Sequence, residues 1–235
     1  MNIVKLLQRE GFGSRKQVTS LIDQRLVAID EALVTSHDLI WQIGKNFHLS
    51  IAGDRIEPAK QVYVAMHKPI GYETSHRPSH HPGVFSLLPH YLVGRGVQAA
   101  GRLDADTTGL LLLSDDGGFI HKLANGKKHV PKIYAVDTRH PIDDGLLKRL
   151  LDGVLLHGED QAVHAQTCQQ TGTHSFRMTI TAGKYHQVKR MVAAASNRVE
   201  RLHRVAVGNY TLPADLAPGK WRYLDERTAL GIIQS

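Results

Sequence analysis

Four consecutive leucines, Leu110-Leu111-Leu112-Leu113, lie between the turn Asp104-Ala105-Asp106 and a second turn, Asp115-Asp116-Gly117-Gly118. An apolar run this short between turn residues reads as a fully buried strand or a short buried helix. Elsewhere the period of the apolar positions sorts the chain into elements. Ile3, Leu6 and Leu7 share one side of a short amphipathic helix over 3–10, which Gly11-Phe12-Gly13 breaks. Ser14-Arg15-Lys16-Gln17 has capping-box spacing, and Val18, Leu21 and Ile22 follow it as the buried stripe of a second helix. Residues 25–29 predict a short strand, 54–61 a polar linker, and 62–66 a strand turned by Pro69 and Gly71. Residues 73–90 predict a loop rich in His, Pro and Ser. A helix is expected over 119–123, a strand over 133–136, and a helix over 142–154 with Leu146, Leu147, Leu150 and Leu151 as its core stripe. A strand over 176–181 and a helix running from 184 through 195 complete the set. Strands and short helices at spacings too small for regular βαβ units predict an α+β fold with a mostly antiparallel sheet. The linker divides the chain into expected domains over 1–57 and 58–235.

Composition narrows the setting. The 235 residues are 42% hydrophobic and 22% charged, enough for a core and too apolar for disorder. No apolar run approaches a membrane span and the first ten residues are too charged for a secretory signal, so the chain is expected in the cytoplasm, off the membrane. A single cysteine, Cys168, excludes an internal disulfide and a multi-cysteine metal site. Lys and Arg number 29 against 22 Asp and Glu, a net charge of +7, and nucleic acid is the commonest polyanionic partner of such a chain. Location sharpens that inference. Residues 1–25 hold five cations against two carboxylates, 122–134 hold four lysines and no carboxylate, and 184–204 hold six cations against one.

Asp104 and Asp106 sit at the lip of the apolar run. There they either cap a turn or supply a catalytic carboxylate. Divalent-metal chemistry on Asp104, Asp106, Asp115 and Asp116 is disfavoured, because the leucine run holds the two pairs apart. His76, His80 and His81 invite a metal reading, but no carboxylate or cysteine is expected beside them, and no metal or cofactor is expected anywhere in the chain.

Two resemblances bear on these candidates. Lys5, Leu6, Gly11, Ser14-Arg15, Leu21-Ile22 and Val27 are similar to the S-four RNA-binding module, with Asn2-Ile3-Val4-Lys5 replacing the usual Arg-Leu-Asp-Lys and Asp30-Glu31 the usual hairpin. Lys68-Pro69-Ile70-Gly71, Gly101-Arg102-Leu103-Asp104, Lys132-Ile133-Tyr134 and Gly183-Lys184-Tyr185-His186-Gln187-Val188-Lys189-Arg190-Met191 stand in the order and wording of the RsuA family of pseudouridine synthases. The likeness runs from the N-terminal module to Pro218-Gly219-Lys220-Trp221-Arg222-Tyr223-Leu224, and the wording is most similar to the branch acting on small-subunit (16S) rRNA.

The resemblance implies a cofactor-free isomerase that detaches uracil from ribose, turns it and rejoins it through carbon 5. It implies Asp104 as the essential carboxylate, acting on the ring, on carbon 1 of the ribose or on a sugar proton. Tyr134 is implied to stack on the target base and Lys189 to pair with Asp104. Arg15, Lys16, Arg102, Lys127, Lys128, Lys132, Lys184 and Arg190 are the expected RNA contacts. Asp106 and Thr107 are expected to shape the turn. The implied partner is ribosomal RNA or an assembling small subunit, met by a monomer. A non-catalytic RNA-binding assembly factor on the same fold is the rival reading, and it fits every basic segment equally well.

Overall fold

The computed structural model describes residues 1–40, 47–124 and 129–234. Contacts divide the chain into two units, Met1–Val62 with Leu88–Val97 and Tyr63–Leu87 with Gln98–Ser235.

The first unit opens with helices α1 (Ile3–Arg9) and α2 (Arg15–Asp23). Both halves of the Ser14–Gln17 capping box form, and Val18 and Ile22 are buried. Strands β1 (Val27–Ile29), β2 (Ala32–Leu33), β3 (Leu49–Ile51) and β4 (Asp54–Ile56) make an antiparallel sheet in the order β2-β1-β3-β4. The expected linker over 54–61 is therefore corrected at its start, because Asp54, Arg55 and Ile56 pair with Ile51, Ser50 and Leu49. Asp30 and Glu31 carry the β1–β2 turn with φ of 46° and 71°. Those values are the mirror-image turn geometry that a right-twisted hairpin requires. Helix α3 (His90–Gly94) joins this unit from far along the chain. The Tyr91 ring stacks on Phe12 with centroids 5.3 Å apart, and Arg95 pairs with Glu10, each 3% exposed.

The second unit is built on a sheet of nine strands among the described residues. They are β5 (Tyr63–Lys68), β6 (Gln98–Ala99), β7 (Thr107–Ser114), β8 (Lys132–Thr138), β9 (Thr167–Gln170), β10 (Ser175–Ile180), β11 (Val199–Val207), β12 (Tyr210–Thr211) and β13 (Trp221–Leu224). Its main path runs β13-β5-β7-β11-β8-β10-β9, and β7 and β11 form the parallel pair in an otherwise antiparallel array. The four leucines are the centre of β7. Leu110 and Leu112 meet Phe119 and Leu123 of α4 (Gly117–Ala124) and, further along the chain, Ala229 and Ile232 in one core cluster. The strand pleat sends Leu111 and Leu113, also fully buried, to the other face. Burial on both faces explains an unbroken leucine run where a half-exposed strand would alternate. Helices α5 (Leu146–Asp152), α6 (Gln187–Ala194) and α7 (Glu226–Ile232) complete the unit. Both α5 and α6 are shorter than expected, since residues 142–145 form a turn and His186 caps α6 in the left-handed region at φ 47°.

One glycine is indispensable to the strand crossing below Asp104. A Cβ on Gly109 would sit 2.3 Å from the Arg204 carbonyl oxygen, and its φ of 107° lies outside the range an ordinary side chain tolerates.

Candidate active site

Strands β7, β8, β10 and β11 and the segment before α6 converge on one cavity of about 310 Å³. The Asp104 turn forms its lip. Thr107 N–H donates to Asp104 O at 3.1 Å, closing the turn at the start of β7. Thr74 ties it from outside, donating to Leu103 O at 2.8 Å and accepting from Leu103 N–H at 3.2 Å. Gly71 N–H donates to Ala105 O at 2.7 Å. From beneath, Lys68 donates to Thr107 O at 2.8 Å, Pro69 O at 3.0 Å and Ala105 O at 3.4 Å. A backbone fixed from both sides holds its side chains in one geometry, as a reacting carboxylate requires.

Lys189, from α6, reaches both acids of that turn, donating to Asp104 Oδ2 at 2.9 Å and to Asp106 Oδ1 at 2.6 Å. Burial alone would lower the Lys189 pKa; the hydrogen bonds and charges of Asp106 and Asp104 raise it above the ordinary lysine range. Burial would raise Asp106, and the Lys189 hydrogen bond and charge outweigh it and bring Asp106 below the ordinary carboxylate range. His186 Nε2 lies 3.2 Å from Asp104 Oδ1. The two oxygens of Asp104 therefore face different partners. The exposed Tyr185 ring stacks on His186 with centroids 3.8 Å apart.

Tyr134 alternates with Lys132 along β8, so both point into the cavity, and Tyr134 stands opposite Arg204 of β11. Leu202, Ile180 and Val188 supply apolar wall. The cavity thus presents a carboxylate paired with a cation, an aromatic ring and an apolar surface, a combination suited to holding a flat heterocycle beside a nucleophile or base.

The other expected contacts separate by burial. Arg15 and Lys16 are exposed on the first turn of α2, and Arg102 is exposed on the cavity rim. Lys184 pairs with Glu159 at the rim. Arg190 donates to the carbonyls of Tyr185 and His157 and lies 3.8 Å from Glu159. Lys132, read as part of a basic run and as an RNA contact, is a buried residue of β8. It is 9% exposed, with Nζ 3.3 Å from Thr181 O. Lys127 and Lys128 lie outside the described residues. The expectation that no carboxylate stands beside the 73–90 histidines is corrected. Glu73 folds under that loop and accepts from the backbone N–H groups of Ser79, His80 and His81. Asp116 caps α4 and accepts from Tyr63 Oη, at the far end of β7 from Asp104.

Three residues carried no individual role in the sequence reading: Lys68, His186 and Arg204. Lys68 is fully buried, and desolvation pushes its pKa down from 10.5 to about 8, against the opposing pull of Asp106 and Asp104. Lys68→Met takes the buried donor from the Thr107 carbonyl, a loss costing about 1–3 kcal/mol, while Ala105 O keeps the Gly71 N–H. The expected result is a lower melting temperature. A pH signature follows as well. Between about 8 and 10.5 the native state has released the Lys68 proton and the unfolded chain retains it. The unfolded state then binds more protons, so stability rises with pH across that window. Lys132, lowered to about 8 by burial and by Arg204, contributes with the same sign. Urea denaturation at pH 7.5 to 10 should show a shallower rise in Lys68→Met than in the wild type.

Comparison with known proteins identifies the family of the chain. The family model described as RNA pseudouridylate synthase matches residues 62–194, which contain Asp104, Tyr134 and Lys189. The chain is 39% identical over 171 residues to the ribosomal small subunit pseudouridine synthase A of Escherichia coli (strain K12), covering 73% of this chain and 74% of that one. It is 34% identical over 230 residues to an uncharacterized RNA pseudouridine synthase of Bacillus subtilis (strain 168), covering 96% and 95%. A crystal structure of a pseudouridylate synthase superposes with a TM-score of 0.69 at 30% identity, over 99% of each chain. The chain belongs to the RNA pseudouridylate synthase family.

Proposed function

We propose that this protein isomerises a uridine of small-subunit ribosomal RNA to pseudouridine, with Asp104 as the essential carboxylate. The observation that carries the reading is the cavity in which Lys189 pairs with Asp104 beside Tyr134. The likeness to small-subunit synthases supports the choice of RNA. A target uridine inside an RNA stack is out of reach of Asp104, so it must be flipped out. An aromatic face then holds it with about 1–3 kcal/mol of stacking, which we assign to Tyr134. Arg102, exposed on the rim, is placed to fill the gap left by the base or to meet a phosphate. Lys189 sets a positive charge beside the carboxylate, 2.9 Å from its Oδ2. No cofactor enters the scheme, because the product is an isomer of the substrate. The protein acts as a cytoplasmic monomer on rRNA or an assembling subunit.

Tritium released from small-subunit rRNA carrying uridine labelled at carbon 5 measures the reaction directly, since that hydrogen leaves when carbon 5 takes the ribose. Wild-type protein should release it, and EDTA should not slow it. A non-catalytic assembly factor would bind the RNA and release nothing.

We assign Met1–Val62 with Leu88–Val97 to RNA affinity, as an S-four-type module. Arg15 and Lys16 stand exposed at a helix start where cations add little stability, which favours an anionic partner. Deleting residues 1–60 would strip Phe12 from Tyr91 and Glu10 from Arg95, so charge reversal is the cleaner test. Arg15→Glu with Lys16→Glu should weaken RNA binding about 10-fold or more and flatten its salt dependence by about two charges. Single-turnover rates at saturating RNA should remain at the wild-type value.

A further inference from the structure

Two cations at the bottom of the cavity lack the partners that buried cations ordinarily have. Arg204 is 4% exposed; its Nε donates to Leu110 O at 2.7 Å, and its Nη2 has no hydrogen-bond partner among the described residues. Lys132, 9% exposed, has a single long contact to Thr181 O at 3.3 Å. Both line the cavity, with Tyr134 between them in the register of β8 and β11. The carboxylates of the site do not neutralise them, because Asp104 and Asp106 are bound by Lys189 and His186. Lys68 offers the contrast: equally buried, it is held by carbonyls of the Asp104 turn. An unpaired buried cation costs stability, and a second beside it costs more. Burial and the charge of Arg204 both push the Lys132 pKa down, as expected for two cations facing each other without an anion.

We infer that Lys132 and Arg204 form the subsite for the carbonyl oxygens of the flipped uracil and stabilise the negative charge those oxygens take up during isomerisation. This deepens the proposed function and rests on it. Depth decides between base and phosphate. The phosphates of an RNA strand stay at the cavity mouth, where Arg102 and Lys184 are exposed, and the flipped base alone reaches Tyr134.

The chemistry calls for such a pair whichever way Asp104 acts. If the base detaches from carbon 1 of the ribose, the electron pair of the N1–C1′ bond stays with uracil and spreads over N1, O2 and O4. If Asp104 adds to carbon 6 of the ring, the ring electrons move toward O4. On either route the N1–C1′ bond breaks and carbon 5 bonds to carbon 1 of the ribose. Any bond Asp104 has made, to carbon 6 or to carbon 1, is released as the carboxylate leaves. Carbon 5 loses a proton and N1 gains one, so atoms and charge balance. Donors already fixed where charge develops act with no reorganisation at that moment, in a site that excludes water.

The inference is tested first without RNA, by NMR titration of the whole chain with free bases. 5-Nitrouracil, whose ring is anionic at neutral pH, should bind at least about 10-fold more tightly than neutral uracil, and Arg204→Gln or Lys132→Gln should erase the preference. Equal affinity of the wild type for the two bases overturns the inference, as does a preference that survives both substitutions. Inorganic phosphate is the third probe: if it binds as tightly as the anion and displaces it, the pair is a phosphate site and the inference is wrong.

Kinetics gives the second test. On small-subunit rRNA, each Gln variant should lose about 100-fold or more in single-turnover rate with RNA affinity within about twofold, and Arg204→Lys and Lys132→Arg should recover part of the rate. Weakened RNA binding at an unchanged saturating rate overturns it. Melting curves identify a variant that fails to fold, and the wild-type base preference decides the matter in that case. Failure of the wild type to release tritium from this RNA would count against the proposed substrate alone.

Discussion

Asp104→Asn should lower tritium release from small-subunit rRNA by at least about 10⁴-fold, the scale seen when an essential nucleophile is removed, and leave RNA affinity nearly unchanged. The amide keeps the size of the carboxylate and can still accept a hydrogen bond from Lys189, so the turn keeps its shape. Thr74, Gly71 and Lys68 hold that turn through backbone groups of Leu103, Ala105 and Thr107 and do not depend on the Asp104 side chain. What the substitution removes is the charge and nucleophilicity of one oxygen pair. Asp106→Asn is the matching control. Asp106 is 68% exposed in its side chain and shares Lys189 from the solvent side, so its loss should change the rate by no more than about 10-fold. A comparable collapse in both variants would mean that the pair acts as a unit and that Asp104 has no separate role.

Lys189→Met is the second large effect. Lys189 bridges Asp104 and Asp106, and its removal leaves two neighbouring carboxylates facing each other across a partly dry cavity. Like charges in that position repel, and Asp104, 32% exposed in its side chain, loses the cation beside it. The rate should fall by about 10²–10⁴-fold at neutral pH, on the scale of losing a group that controls catalytic protonation. The acid side of the pH–rate profile should also move to higher pH, because Asp106 loses the hydrogen bond and charge that bring it below the ordinary carboxylate range. Lys189→Arg keeps the charge and should keep the wild-type acid limb, at a lower rate from altered reach. A purely structural role for Lys189 would lower the amount of folded protein and leave the shape of the profile where it was.

Much of this site was legible in the chain, and what escaped did so for physical reasons. The Ser14–Gln17 box and the leucine run are local signals, and local hydrogen bonding or uniform burial is enough to decide them. β11 escaped because Glu200, Arg201 and His203 disguise it as a charged loop. Its inward positions Leu202, Arg204 and Ala206 do alternate, and an Arg at an inward position was the available sign of a buried cation. The burial of Lys132 was hidden for the same reason: in composition it belongs to a basic run, and only the strand period places it beside Tyr134 as an inward residue. The assignment of 88–97 to the first unit depends on contacts such as Tyr91 with Phe12, which join distant parts of the chain and leave no periodic mark. His186 lies beside Asp104 because its backbone is left-handed, a conformation that a non-glycine residue does not advertise.

The central claim meets its most direct test in cells. Pseudouridines would be mapped across small-subunit rRNA in a strain lacking this protein, and in the same strain supplied with wild-type or Asp104→Asn protein. The account predicts that at least one pseudouridine disappears in the deletion, returns with the wild type and stays absent with Asp104→Asn. A complete set of small-subunit pseudouridines in the deletion strain, or their restoration by Asp104→Asn, would contradict it.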